Sequence, residues 1–190
     1  MKKIYLIHGW GGSDSNEGWF GWLKEEGKKR GYEVIGFNMP NTNEPIIDEW
    51  VGFLQKNIKN VDEETYFVGH SIGCQTIMRF LETLPENKKI GGVVFVAGWF
   101  NLKEEIYSEG DDELESRAIA KPWIETPIDF KKLKSHTNNF LAIFSTDDPF
   151  VPLTDEKLFK KNLGAKTVIK ENKGHFDVSE KIEEIWEGIR

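Results

Sequence analysis

The chain of 190 residues holds a single cysteine, Cys74. No disulfide can form within it, and a four-cysteine zinc centre is excluded. Long hydrophobic runs are missing too. The opening MKKIYLIHGWGG sets a short apolar stretch behind two lysines, where a secretory signal needs a core of about 7–15 apolar residues. Nothing approaches the roughly 20 apolar residues of a membrane span. Basic charge is in deficit: 25 Lys+Arg face 32 Asp+Glu, a net charge of -7. A nucleic-acid or anionic-membrane partner calls for a basic stripe. The nucleotide-binding patterns G-x-x-x-x-G-K-[ST] and G-x-G-x-x-G do not occur. These absences lead to the expectation of a cytoplasmic protein with neither a nucleic-acid nor a membrane partner.

What is present is an alternation of short apolar runs with longer helical patterns. KIYLIH (3–8), YEVIGFNM (32–39), TYFVG (65–69), GGVVFVAG (91–98), NFLAIFS (139–145) and KTVIKE (166–171) read as strands. Between them, helices are expected over 18–31, 44–60, about 71–84 and 154–164, with a last one over 177–189. Strands that alternate with helices imply a mostly parallel sheet of about six strands, covered on both faces. The fold class is therefore α/β, in three layers, as one domain over residues 1–190. Residues 99–138 break the rhythm with the acidic run EEIYSEGDDELES and then KPWIETP. They read as a short cap-like excursion, too polar for core, at the sheet edge where ligands bind.

One corner of the chain carries chemistry. GHSIG (69–73) follows a strand and opens a helix. In a nucleophile elbow, a serine sits in a strained position on such a turn, and small neighbours let strand and helix approach. Ser71 is then a candidate nucleophile. A serine needs a base, and the base needs an orienting carboxylate. Of the 4 histidines, His175 follows the last strand, where the base belongs in this chain order. His136 lies in a polar stretch and reads as a solvent residue. His70 is expected to point away and pack, and His8 to organise the loop after the first strand. FSTDDPFVP (144–152) supplies Asp147 and Asp148 as acids. Asp148 is preferred, with Asp147 capping the loop. The oxyanion donors expected are the backbone N–H groups of Ile72 and of Trp10, with Gly11 next. No metal or cofactor is required.

The 7 tryptophans divide by position. Trp19, Trp22 and Trp50 fall at helical spacings and read as core, as does Trp186. Trp99, Phe150 and Phe176 are candidates for an apolar substrate pocket, with Trp10 and Trp123 beside them.

With GWFGWL (18–23), FNMP (37–40), GHSIG (69–73), KPW (121–123), STDDPFVP (145–152) and GHF (174–176) in this order, the chain resembles the α/β-hydrolases. It is most similar to the small serine hydrolases grouped with retinoblastoma-binding protein 9 and the bacterial YdeN-type proteins. The resemblance implies a compact six-stranded hydrolase with a minimal cap and a Ser71–Asp148–His175 triad. The first loop, HGWGG, departs from the PGNGG of the vertebrate member. No L-x-C-x-E motif occurs, so no retinoblastoma-type partner carries over. The expected function is cleavage of small to medium esters or thioesters, with a small-molecule substrate as partner. The alternatives are a protein-interaction module with a vestigial site, whose acidic run would meet a basic partner, and the same triad acting on amide or C–C bonds.

Overall fold

The computed structural model describes residues 2–14, 18–104 and 111–189. Six strands form one sheet: β1 (Lys3–Ile7), β2 (Glu33–Phe37), β3 (Thr65–His70), β4 (Gly92–Val96), β5 (Phe140–Ser145) and β6 (Lys166–Lys170). Their order is β2-β1-β3-β4-β5-β6, and every pairing is parallel. The helices are α1 (Gly18–Lys29), α2 (Ile47–Asn57), α3 (Ile72–Thr83), α4 (Asp111–Glu125), α5 (Phe130–His136) and α6 (Asp155–Leu163). The result is a three-layer α/β/α fold. β1 lies between β2 and β3, so the chain turns opposite ways along the sheet on either side of it. Such a switch point opens a crevice at the carboxyl ends of the strands.

Alternation along the central strands assigns each side chain to a layer. Tyr5, Ile7, Phe67, Val93, Phe95 and Phe140 face one core with Trp50, Ile77, Met78 and Phe159. Ile4, Leu6, Val68, Val94 and Leu141 face the other, with Trp19, Phe20 and Leu23 of α1. Strands buried on both faces need apolar residues at consecutive positions, which is why β3, β4 and β5 read as unbroken apolar runs. The two edge strands are only partly covered, β6 most openly.

Several expectations change. The last helix, expected over 177–189, is a 3-10 helix over Glu183–Glu187. Its buried Ile182 and Ile185 lie three apart, the period of a 3-10 turn. Trp186 is only half-buried, with the Arg30 guanidinium 4.4 Å above its ring. Residues 99–138 are not a polar excursion throughout. They contribute α4 and α5, and they bury Trp99, Ala120, Trp123, Leu133 and His136. His136 is not a solvent residue: its Nδ1 lies 2.8 Å from the Lys88 carbonyl. Of the acidic run, residues 105–110 lie outside the described residues. Trp19 and Trp50 are core, and Trp22 lies half-buried at the core's margin.

The tightest constraint is at the junction of β3 and α3. A methyl group on Gly73 would lie 2.3 Å from the Ile7 carbonyl oxygen and 2.7 Å from that of His8. Both are backbone atoms of the neighbouring strand's end and cannot swing away. Gly73→Ala is expected to cost about 1–3 kcal/mol, lowering Tm by roughly 2–4 °C for each kcal/mol in a chain of this size. Gly21→Ala, where a methyl group meets nothing within 4 Å, should instead gain roughly 0.5–1 kcal/mol. Parallel thermal melts check both.

Candidate active site

Ser71 follows β3 directly and caps α3 with φ 50 and ψ -121. A non-glycine residue there is strained, and the surroundings must hold it. Its amide donates to the Val96 carbonyl at 2.9 Å, and its carbonyl accepts from the Cys74 amide at 3.0 Å. A methyl group on Gly69 would lie 2.8 Å from the Cys74 nitrogen. Only glycine at both 69 and 73 allows this approach. The serine is thereby raised at the carboxyl edge of the sheet, at the positive end of α3.

His175 comes to the same edge from the loop after β6. Its Nδ1 lies 2.9 Å from Asp148 Oδ2 and 3.1 Å from Oδ1. The ring and the carboxylate are both buried. A carboxylate can only accept, so Nδ1 carries the hydrogen. In the neutral ring this leaves Nε2 as the basic nitrogen. Asp148 Oδ1 also accepts from the Phe150 and Val151 amides, each at 2.9 Å. These donors stabilise the ionised carboxylate and fix its plane.

Asp147 is turned elsewhere. Its Oδ1 accepts from the Ser145 hydroxyl at 2.6 Å and from the Gly174 amide at 2.9 Å. The Ser145 hydroxyl, and after it the Gly174 amide, hold its carboxyl below the ordinary range. The same Ser145 oxygen accepts from the Lys173 amide at 2.9 Å. Asp147 and Ser145 therefore hold the backbone leading into His175, while Asp148 holds its ring. The turn after β5 leaves Asp147 exposed and Asp148 buried, which separates these contacts.

The glycine-rich loop after β1 is held from several sides. His8 Nε2 accepts from the Met39 amide at 3.0 Å, so its hydrogen is on Nδ1, 2.8 Å from the Gly9 carbonyl. The Trp10 indole donates to the Asn43 carbonyl at 2.7 Å. The Gly11 amide donates to the Thr42 carbonyl at 2.8 Å, which commits the second-ranked oxyanion donor. Among the described residues, the Trp10 and Ile72 amides meet no backbone acceptor.

The three candidate pocket residues do not gather. Trp99 is in the core on the α3 face and Phe176 in the core on the α1 face, each 1% exposed. Phe150 alone is partly exposed, its ring edge-on to His175 at 5.1 Å. Trp123 instead walls a hollow of about 220 Å³ with Gln75, Phe100, Ile128, Phe130 and Leu158. A second cleft of about 710 Å³ runs beside His175, Gly174, Pro149 and Val178.

Several contacts at this edge carry no sequence signal. Lys103 donates from its backbone to the Phe150 carbonyl at 2.7 Å and from its ammonium to the Asp148 carbonyl at 2.6 Å. The buried His70 ring lies 4.9 Å from the His175 ring. Arg79 donates to the Trp123 and Thr126 carbonyls at 2.9 and 3.0 Å, tying the end of α4 to α3. Asp155, fully buried at the start of α6, accepts from the Phe100 amide at 2.5 Å, the Asn101 amide at 2.8 Å and the Asn101 side chain at 2.7 Å. Burial pushes its carboxyl above the ordinary range, against the opposing pull of these donors.

Known proteins resemble this chain over most of its length. A family model described as serine hydrolase matches residues 4–190. The YdeN protein of Bacillus subtilis (strain 168) is 30% identical over 175 residues, 92% of this chain and 86% of that protein. Serine hydrolase RBBP9 of Rattus norvegicus is 27% identical over 181 residues, 94% of this chain and 89% of that protein. The crystal structure of the B. subtilis ydeN gene product covers 98% of this chain and 96% of its own, with TM-score 0.85 at 27% identity. A carboxylesterase structure from Nitrososphaera gargenis shares the fold at TM-score 0.68 and 15% identity, over 98% of this chain and 87% of its own.

Asp155 gives a prediction for the loop carrying Trp99. Asp155→Ala strands buried donors and should cost about 1–3 kcal/mol. Asp155→Asn keeps one acceptor oxygen for both amides, and a flipped Asn101 side chain can accept from its new NH₂. That variant should lose less than about half as much. Urea unfolding of the two variants beside the parent measures the difference.

Proposed function

Because the chain belongs to the serine hydrolase family, we propose that it cleaves small to medium carboxylic esters or thioesters through Ser71, His175 and Asp148. The observation that carries this reading is the buried His175–Asp148 pair, 2.9 Å apart, at the sheet edge where Ser71 holds a strained φ of 50. Ser71 Oγ attacks the carbonyl carbon while His175 Nε2 takes its proton. The imidazolium that forms is stabilised by Asp148 through Nδ1–H. The tetrahedral oxyanion accepts from the Ile72 amide at the head of α3 and from the Trp10 amide. When the C–O or C–S bond breaks, His175 returns the proton to the leaving group. Water, deprotonated by His175, then releases the acyl group from Ser71. Every step uses side chains and amides of this chain.

The cleft beside His175 holds about 710 Å³, a volume that suits a substrate of small to medium size. Among the described residues, no helix is long and apolar enough to cross a membrane.

With p-nitrophenyl acetate as substrate, Ser71→Ala should lose at least about 10³-fold in kcat/KM. A variant as fast as the parent rejects the nucleophile. Asp148→Asn should lose roughly 10³–10⁴-fold in kcat. Asp147→Asn, which alters only the backbone support of the histidine, should lose roughly tenfold or less. If Asp147→Asn is the slower variant, the acid is wrongly assigned. Fluorophosphonate labelling read on a gel provides a second measure for all three.

A further inference from the structure

His70, inside the elbow, has a feature that packing alone does not need. It is the last residue of β3, 1% exposed, and its side chain faces the α1 layer, with the Trp19 ring edge-on at 6.1 Å. Its Nε2 lies 2.7 Å from the backbone carbonyl oxygen of His175. A carbonyl can only accept, so the hydrogen is on His70 Nε2. The two imidazoles also lie against each other, tilted by 45°. Asp177 Oδ1 lies 4.0 Å from the same nitrogen, on an exposed side chain.

His175 needs such a holder. It sits between two residues with left-handed backbones, Gly174 at φ 53 and Phe176 at φ 66. The second is a bulky side chain in a sparsely populated conformation that its surroundings must enforce. Asp147 and Ser145 grip the segment before His175. Asp148 grips the ring tip. The peptide carbonyl of His175 itself is gripped by His70. Because His70 is bonded in sequence to Ser71, this hydrogen bond ties the base's backbone directly to the strand that carries the nucleophile.

We propose that His70 is a positioning residue: its Nε2–H···O=C bond to His175 sets the distance and angle between the His175 imidazole and Ser71. The proposal rests on the reading of Ser71 and His175 as nucleophile and base. It acts on every proton transfer His175 makes, so acylation and deacylation slow together when the bond is lost. A displacement of about 1 Å between reacting groups costs roughly 10²-fold.

Two variants of the full chain separate positioning from packing. His70→Phe keeps a ring against Trp19 and His175 but has no donor. His70→Gln loses the ring but carries an N–H at a similar reach. On p-nitrophenyl acetate, His70→Phe should lower kcat by roughly 10- to 100-fold, with KM within about twofold. His70→Gln should recover most of that loss. Unchanged kcat in His70→Phe, or a greater loss in His70→Gln than in His70→Phe, overturns the proposal. The unaltered protein decides independently of whether a variant folds. Long-range ¹H–¹⁵N correlation should find the His70 proton on Nε2, and a proton on Nδ1 alone overturns the proposal. Ser71→Ala is run alongside. If it keeps parental activity, the nucleophile reading fails. If it is inert while His70→Phe is as fast as the parent, only the role of His70 fails.

Discussion

The close approach of β3 and α3 at Ser71 governs the rest of this molecule. Gly73 lies so near the Ile7 and His8 carbonyls that a methyl group would collide with both. The head of α3 is thus pressed against the end of β1. That contact brings the glycine-rich loop after β1 beside the serine and aims the first amides of α3 at the same space. It also forces Ser71 into a left-handed backbone. The strain is affordable only because β3 is central: Thr65–Gly69 pair with β1 on one side and Tyr66–His70 with β4 on the other. A corner like this at a sheet edge would relax.

Around this rigid corner, the remaining parts arrive on loops, and polar contacts hold each loop alongside buried anchors such as Trp99, Val151 and Phe176. The segment after β5 divides its two aspartates between the backbone and the ring of the histidine loop. The start of the cap-like excursion is bound to that segment through Lys103. Asp155 binds the loop after β4 to α6, and Arg79 binds the end of α4 to α3. Loops carry many unpaired backbone groups and little apolar area, so charged and hydroxyl side chains do this work. Asp155 shows the cost, since burial works against its ionised form. A loop held this way has a defined geometry, which a site relying on proton transfer over hydrogen-bond distances requires.

The six strands and most helices were legible because both periodicities were clean. Alternating layers demanded apolar runs in the middle strands. The last segment was misread because Ile182, Ile185 and Ile189 suit an α-helical stripe as well as they suit a 3-10 turn. The tertiary fit against β5 chose between them. His136 was misjudged for a related reason. It lies in polar sequence, but α5 folds back against α3, and burial follows from that docking rather than from local composition. The expected aromatic pocket failed because Trp99 and Phe176, each next to a chemically important loop, turn into opposite cores.

The sequence by itself determined the sheet's layered plan, the strand–serine–helix corner and the order of serine, acid and histidine along the chain. These depend on residue type at fixed local spacing. Only the tertiary structure decided which aspartate meets the imidazole, that the Gly11 amide is already committed, and that His70 reaches the carbonyl of His175. Each of those depends on the directions in which neighbouring side chains and amides point once distant segments meet, and spacing along a chain does not encode direction.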